Sequence, residues 1–144
     1  RLFETSHAEH LLFDDGAGVV RYAGRHHGYE QLPEPVTHER ELRLAKADGA
    51  LEIIDRLTGA GAHRLRWHFH LAPGVDARTV DATTTELSTS GRRWRLRVPD
   101  GAQVSIADAR YSPSYGVAVG CRAIDVALQS VLNGTATWRF TIQP

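Results

Sequence analysis

Hydrophobic and polar residues alternate along several short segments of the chain. In HRLRWHFHL (63–71), Leu65, Trp67, Phe69 and Leu71 alternate with arginines and histidines. RRWRLRV (92–98) and TWRFTI (137–142) repeat this pattern. Because successive side chains of a strand point to opposite faces, each segment predicts a strand with one apolar and one polar face. All three tryptophans fall on the predicted apolar faces.

Turn sequences separate these segments: DDG (14–16), KADG (46–49), TGAG (58–61) and PDG (99–101). Short strands divided by such turns are typical of antiparallel sandwiches. The segment RAIDVALQSVL (122–132) fits a helical stripe as well as a strand, and we favour the strand. The sequence therefore predicts an all-β fold, an antiparallel β-sandwich (two-layer sheet, supersandwich-like), as a single domain over residues 1–144.

Composition removes several function classes. The 17 basic and 17 acidic side chains balance, so no overall charge draws the chain to nucleic acid or a membrane surface, and we expect neither partner. No apolar run approaches the ~20 residues of a membrane span. The single cysteine, Cys121, leaves no internal disulfide, and we expect it to be a small buried residue. Composition gives no cellular compartment. The absence of methionine and a strand-like start suggest part of a longer chain.

Eight histidines make metal binding the first chemistry to consider. His68 and His70 share one face of a predicted strand, a spacing that can chelate a metal, but no third ligand can be named. Hydrogen bonding across a polar sheet face is the simpler interpretation, and we predict no metal site in this segment.

Nucleophilic and nucleotide sites also lack support. Ser112 and Ser114 of YSPSYG are not in a G-x-S-x-G setting, and no G-x-G-x-x-G or Walker-type loop opens a helix. Tyr29, Tyr111 and Tyr115 could stack on sugar rings, or could simply pack turns.

Arginines 64, 66, 93, 95 and 97 alternate on two predicted strands. If those strands were neighbours, the guanidinium groups would form a ladder suited to carboxylates or sulfates. The alternative is a solvated basic face neutralised by acidic side chains, namely Glu39, Glu41, Glu52 and Glu86.

Several ordered motifs then resemble one family. They are His-x-Gly-Tyr at 26–29, His-x-Arg at 38–40, IIDRLTGAGAH at 53–63, FHLAPG at 69–74 and YSPSYGV at 111–117. Their order and spacing are similar to those of the C-terminal β-sandwich region of heparinase II/III-like polysaccharide lyases. The resemblance covers most of residues 20–120.

The resemblance implies β-elimination on a uronate-containing acidic polysaccharide. In that family the proton-transferring Tyr and His come mainly from an N-terminal helical domain, and a metal such as zinc is held by elements upstream of this segment. We therefore expect no catalytic residue and no cofactor here, with the acidic polysaccharide and the chain's own N-terminal helical domain as partners. The expected substrate-binding residues are His26, Tyr29, His38, Arg40, His70, Tyr111 and Tyr115.

Two other functions stay open. A free-standing carbohydrate-binding module would hold anionic glycans through the arginines and tyrosines without cleaving them. A purely structural β-domain would cover an edge of a neighbouring domain and bind no ligand.

Overall fold

The structure is a computed structural model that describes residues 7–144. In chain order the elements are β1 (Ala8–Asp15), β2 (Val19–His26), a 3-10 turn η1 (Gly28–Gln31), β3 (Val36–Ala45), β4 (Leu51–His70), β5 (Asp76–Thr79), β6 (Thr84–Thr89), β7 (Arg92–Arg97), β8 (Gln103–Ser114) and β9 (Val117–Gln143).

Hydrogen bonds join these strands in the order β1-β2-β3-β4-β9-β7-β6-β5, with β8 paired to β9. The pairs β1–β2, β2–β3, β3–β4, β5–β6, β6–β7 and β8–β9 are all antiparallel. The prediction of an all-β, antiparallel, sandwich-like fold class is confirmed. Segment 122–132 lies within β9, so the strand interpretation of RAIDVALQSVL is also correct.

The described chain divides into two compact units, and we treat each separately. Unit 1 comprises residues up to His63 together with Gln129–Gln143. It contains β1, β2, β3 and the first part of β4. Ile54, Leu132 and Phe140 are fully buried in it, and each side chain contributes about 1.5–3 kcal/mol by leaving water.

Unit 2 comprises Arg64–Leu128 and Pro144. Leu96, Ile124 and Val126 form its most buried core. Of the tryptophans placed on apolar faces, Trp67 here and Trp138 in unit 1 are buried, whereas Trp94 is half-buried.

The prediction of a turn at TGAG (58–61) is wrong, because β4 continues through it. Instead, the two glycines let residues of another segment approach the backbone of β4 closely. A Cβ on Gly59 would lie 2.6 Å from the carbonyl oxygen of Pro35, and Gly61 has a φ of +92° with the Glu34 carboxylate where its Cβ would be. Glycine removes both clashes, so the pattern that resembled a turn marks a distortion inside a long strand.

The arginine ladder does not form between neighbouring strands. Strand β9 lies between β4 and β7 in the hydrogen-bonding order, so Arg64 and Arg66 are on a different strand pair from Arg93, Arg95 and Arg97. Most of the glutamates that were considered as neutralising partners of these arginines bind other arginines instead. Glu39, Glu41 and Glu52 bind arginines within unit 1, and of the four only Glu86 serves the arginines of unit 2.

Among the described residues, no helix is long and apolar enough to cross a bilayer.

Candidate functional site

Three neighbouring strands of unit 1 place four polar side chains on one face. His38 and Arg40 are two residues apart on β3 and therefore point to the same side. The antiparallel registers set His26 of β2 opposite His38, and Asp55 of β4 opposite Arg40. Side chains directly opposite one another share a face, so all four meet. We call this group, with Tyr29, the His-Asp-Arg cluster.

Asp55 is the centre of the cluster and is fully buried. Its Oδ1 accepts hydrogen bonds from Arg40 Nε at 2.7 Å and from His38 Nε2 at 2.8 Å, and its Oδ2 accepts from Arg40 Nη2 at 2.8 Å. Burial by itself would raise the pKa of Asp55, but the hydrogen bonds from Arg40 and His38 outweigh it and hold that pKa at about 2. Asp55 is therefore a permanent anion near neutral pH.

The hydrogen bonds of the two histidines run in a single direction. The Gly28 backbone N–H donates to His26 Nδ1 at 3.3 Å, so a neutral His26 carries its proton on Nε2. That proton is donated to His38 Nδ1 at 3.0 Å, which leaves the His38 proton on Nε2, facing Asp55. This assignment satisfies every ring nitrogen with both imidazoles neutral.

The environment of His26 supports its neutral form. Burial lowers the pKa of His26, and the proximity of His38, His27 and Arg40 lowers it further. Conversely, the hydrogen bonds to Asp55 raise the pKa of Arg40, so its guanidinium stays charged. The cluster thus combines one fixed cation, one fixed anion and two neutral imidazoles.

Tyr29 covers the two histidines from the 3-10 turn η1. Its ring meets His26 edge-on at a centroid distance of 4.9 Å and lies nearly parallel to His38 at 6.4 Å. The turn is fixed by the Glu30 carboxylate, which contacts His27 Nδ1 at 2.6 Å and accepts from Thr37 Oγ1 at 2.6 Å. Tyr29 is 48% exposed, so a rigidly held phenol faces solvent.

Arg40 is the cation that the cluster offers to a ligand. Its side chain is 44% exposed although two of its N–H groups are bound to Asp55. A guanidinium has five N–H donors, so the others remain free for a carboxylate or sulfate. With Tyr29 beside it, this face can bind an anionic group through Arg40 and a sugar ring through the phenol.

The other predicted residues lie in unit 2. His70 Nε2 lies 3.0 Å from the carbonyl oxygen of Arg110 and 3.1 Å from Cys121 Sγ. Tyr111 is 43% exposed on β8, and Tyr115 is fully exposed in the turn between β8 and β9. The structure thus brings together His26, Tyr29, His38 and Arg40, and gives His70, Tyr111 and Tyr115 separate settings in the other unit.

YSPSYG forms a hairpin tip. Ser112 Oγ donates to the carbonyl oxygens of Ser114 (3.0 Å) and Val117 (2.7 Å), which fixes the turn.

In unit 2, a series of polar contacts runs through His68. Its Nδ1 lies 2.8 Å from Asp125 Oδ1, and its Nε2 lies 3.4 Å from His70 Nδ1. Among residues 7–144, no group of three or more His, Cys, Asp or Glu side chains converges to hold a metal ion. Cys121 is buried, as the sequence suggested.

Asp55 is a site residue that sequence reasoning missed. It lies in the motif at 53–63, and its signal is the single carboxylate of IIDRL (53–57), between Ile54 and Leu57, which are both buried. A charge in such a strand requires a partner, because an unpaired buried carboxylate is very costly. The partner itself depends on register.

The opposite face of the same strands carries arginine–glutamate pairs. Glu41, only 4% exposed, accepts from Arg43 Nε at 2.8 Å, Arg21 Nη2 at 2.9 Å and Arg56 Nη2 at 3.1 Å. The hydrogen bond from Arg43, with those from Arg21 and Arg56, holds the pKa of Glu41 at about 2 despite burial. Beside it is a groove of about 420 Å³ lined by Arg25, Thr37, Glu39, Arg56, Thr58 and Thr135.

Comparison with known families decides the relationship. A family model described as heparinase II/III-like, C-terminal, matches residues 4–141. The chain belongs to this family. The resemblance inferred from the ordered motifs is thereby confirmed, since the matched region contains all of them.

Solved structures of similar fold include heparinases. The heparan sulfate lyase HepC from Pedobacter heparinus has a TM-score of 0.79 at 15% identity, over 95% of this chain and 21% of that chain. The heparinase III BT4657 gene product has a TM-score of 0.72 at 14% identity, over 98% and 22% respectively. This heparinase II/III-like domain therefore spans about a fifth of the length of those proteins. No curated protein matches the chain in sequence.

Proposed function

We propose that the chain is the C-terminal β-region of a polysaccharide lyase that cleaves a uronate-containing acidic polysaccharide by β-elimination. The carrying observation is Arg40, a partly exposed cation that is held by buried Asp55 and lies close enough to Tyr29 to interact with it electrostatically. Membership of the heparinase II/III-like family and the fold similarity to a heparan sulfate lyase support this substrate class.

In β-elimination a base removes the C5 proton of the uronate, a C4–C5 double bond forms, and the C4–O bond breaks with an acid protonating the leaving oxygen. We assign both proton transfers to an N-terminal helical domain of the same protein, and this chain alone is inactive. Its role is binding: Arg40 takes an anionic group and Tyr29 packs on a sugar ring. His26 and His38 hold this pair in place. His70, Tyr111 and Tyr115 are proposed as further substrate contacts.

Turnover tests the assignment of catalysis. The 144-residue chain and a longer natural chain containing it are each mixed with heparan sulfate, and the absorbance of the new unsaturated uronate is followed. We expect signal from the longer chain only. Elimination by the 144-residue chain would show that catalytic groups lie within it.

Variants of the longer chain test the binding site. Arg40→Gln should raise KM about tenfold, since it removes one charge-assisted contact, with a smaller change in kcat. Arg64→Gln, which removes an exposed arginine of unit 2, is the control and should leave KM within about twofold. An unchanged KM in Arg40→Gln would remove the cluster from the substrate site.

The binding-module alternative is favoured by the exposed arginines of β7. It predicts polysaccharide binding with no elimination by any longer chain, so the turnover assay separates it from the lyase.

A further inference from the structure

Strand β7 presents three arginines on one face. Arg93, Arg95 and Arg97 are exposed, while Leu96 and Val98 from the intervening positions are buried. We call these three residues the arginine row. Because alternate residues of a strand are about 6.7 Å apart, the row is a regular line of guanidinium groups.

Together with β7, strands β5 and β6 give this face an excess of positive charge. The registers place Arg93 opposite Ser88, Arg95 opposite Glu86, and Arg97 opposite Thr84. On the next strand, Asp76 lies opposite Ser88 and Arg78 opposite Glu86. Opposed residues share a face, so this surface of β5, β6 and β7 holds four guanidinium groups and two carboxylates.

Both carboxylates are already engaged. Glu86 accepts from Arg78 Nη2 at 3.0 Å, and this bond lowers the pKa of Glu86, with smaller contributions from nearby Arg93 and Arg95. Asp76 Oδ1 accepts from the Ala77 backbone N–H at 2.9 Å. Within residues 7–144, no carboxylate makes an ion pair with any of the three arginines of the row.

We propose that the arginine row is a binding surface for a linear acidic polysaccharide, separate from the His-Asp-Arg cluster. The occupant follows from charge complementarity: sulfates or carboxylates repeated along a chain match repeated guanidinium groups, which bind such anions in a bidentate manner. The assignment to a polysaccharide rests on the proposed function.

Nucleic acid is the competing polyanion and is disfavoured by the surface itself. Binding of single strands usually combines positive charge with aromatic rings on which bases stack. The residues of this face on β5, β6 and β7 include no aromatic side chain, because Trp94 points to the other side with Leu96.

Binding without turnover tests the proposal. The chain carrying Arg95→Gln and Arg97→Gln is titrated with heparan sulfate oligosaccharide by calorimetry, from about 50 to about 200 mM NaCl. The control carries Arg64→Gln and Arg110→Gln. It loses the same charge from exposed arginines that form no ion pair with other described residues. Equal thermal midpoints of the two variants establish that both are folded.

We expect the row variant to lose about tenfold in affinity at the lower salt concentration and to show a shallower dependence on salt, with the control within about twofold of wild type. Equal losses in the two variants, or no binding by wild type, would overturn the proposal. Single-stranded DNA serves as a second probe, and binding as tight as that of the oligosaccharide would overturn the assignment of the row to a polysaccharide. A negative result for the arginine row would not change the outcome of the turnover assay or of the Arg40→Gln kinetics. The two proposals can therefore fail separately.

Discussion

Replacement of Asp55 by asparagine is the sharpest test of the cluster. Asp55→Asn preserves the shape of the side chain but removes the charge that binds Arg40, and it turns an N–H donor toward donors of Arg40 or His38. Removing one partner of a buried ion pair costs about 3–5 kcal/mol. Arg40 is 44% exposed and regains water, so we expect the lower end, about 3 kcal/mol.

The pKa of Asp55 gives a second measure of how much its charged form stabilises the fold. It falls from an ordinary 3.8 to about 2 in the folded chain. That gap corresponds to about 2 kcal/mol of stability. Because the folded-state pKa is the lower one, this stability is present above about pH 4 and is lost as the pH falls through about 2.

Urea unfolding measures both quantities. At pH 7 the free energy of unfolding of Asp55→Asn should lie about 3 kcal/mol below that of wild type, and the difference should narrow between about pH 4 and about pH 2. Asp100→Asn, at an exposed turn, is the control and should stay within about 0.5 kcal/mol. A cost for Asp55→Asn no larger than that of the control, or a difference independent of pH, would refute the ion-pair reasoning.

Three further outcomes are expected. Nitrogen NMR at pH 7 should find both His26 and His38 neutral with the proton on Nε2, and a proton on Nδ1 of either ring would contradict the hydrogen-bond chain. Glu41→Gln should reduce the free energy of unfolding by about 3 kcal/mol, because three arginines lose their buried anion; urea titration measures this, and a loss below about 0.5 kcal/mol would contradict it. Gly59→Ala should lower Tm more than Gly120→Ala: both glycines lie in strands, but a Cβ on Gly59 would lie 2.6 Å from the backbone carbonyl oxygen of Pro35, whereas nothing lies within 4 Å of one on Gly120. Equal losses in Tm would contradict that account.

Alternation in the sequence predicted the strands at 63–71, 92–98 and 137–142, and the family resemblance supplied four members of the cluster, namely His26, Tyr29, His38 and Arg40. The two-residue spacing of His38 and Arg40 places both on one face wherever β3 lies in the sheet. Their meeting with His26 and Asp55 depends on the registers of β2, β3 and β4, and a shift by one residue would move every side chain of a strand to the other face. Local sequence does not determine that register.

The wrong turn prediction at TGAG and the undecided arginine ladder have similar physical causes. TGAG has the composition of a turn, but the approach of Pro35 and Glu34, which are distant in sequence, is what requires Gly59 and Gly61. The sequence left a ladder of five arginines open, because it required β4 and β7 to be adjacent and strand order is a property of the whole sheet. Both cases depend on contacts between segments far apart in the chain.

The charges of the two proposed binding features imply different roles. In the His-Asp-Arg cluster, Arg40 and Asp55 neutralise one another, so the cluster attracts a distant polyanion weakly and acts by directed hydrogen bonds at short range. The arginine row keeps a positive excess, which attracts at long range and is screened by salt. Arg40→Gln, which removes one charge, should therefore weaken heparan sulfate binding with only a small change in its dependence on salt, whereas Arg95→Gln with Arg97→Gln, which removes two, should make that dependence clearly shallower. The same titrations, compared by slope rather than by affinity alone, separate the two features, and equal slopes would show that this division of roles is wrong.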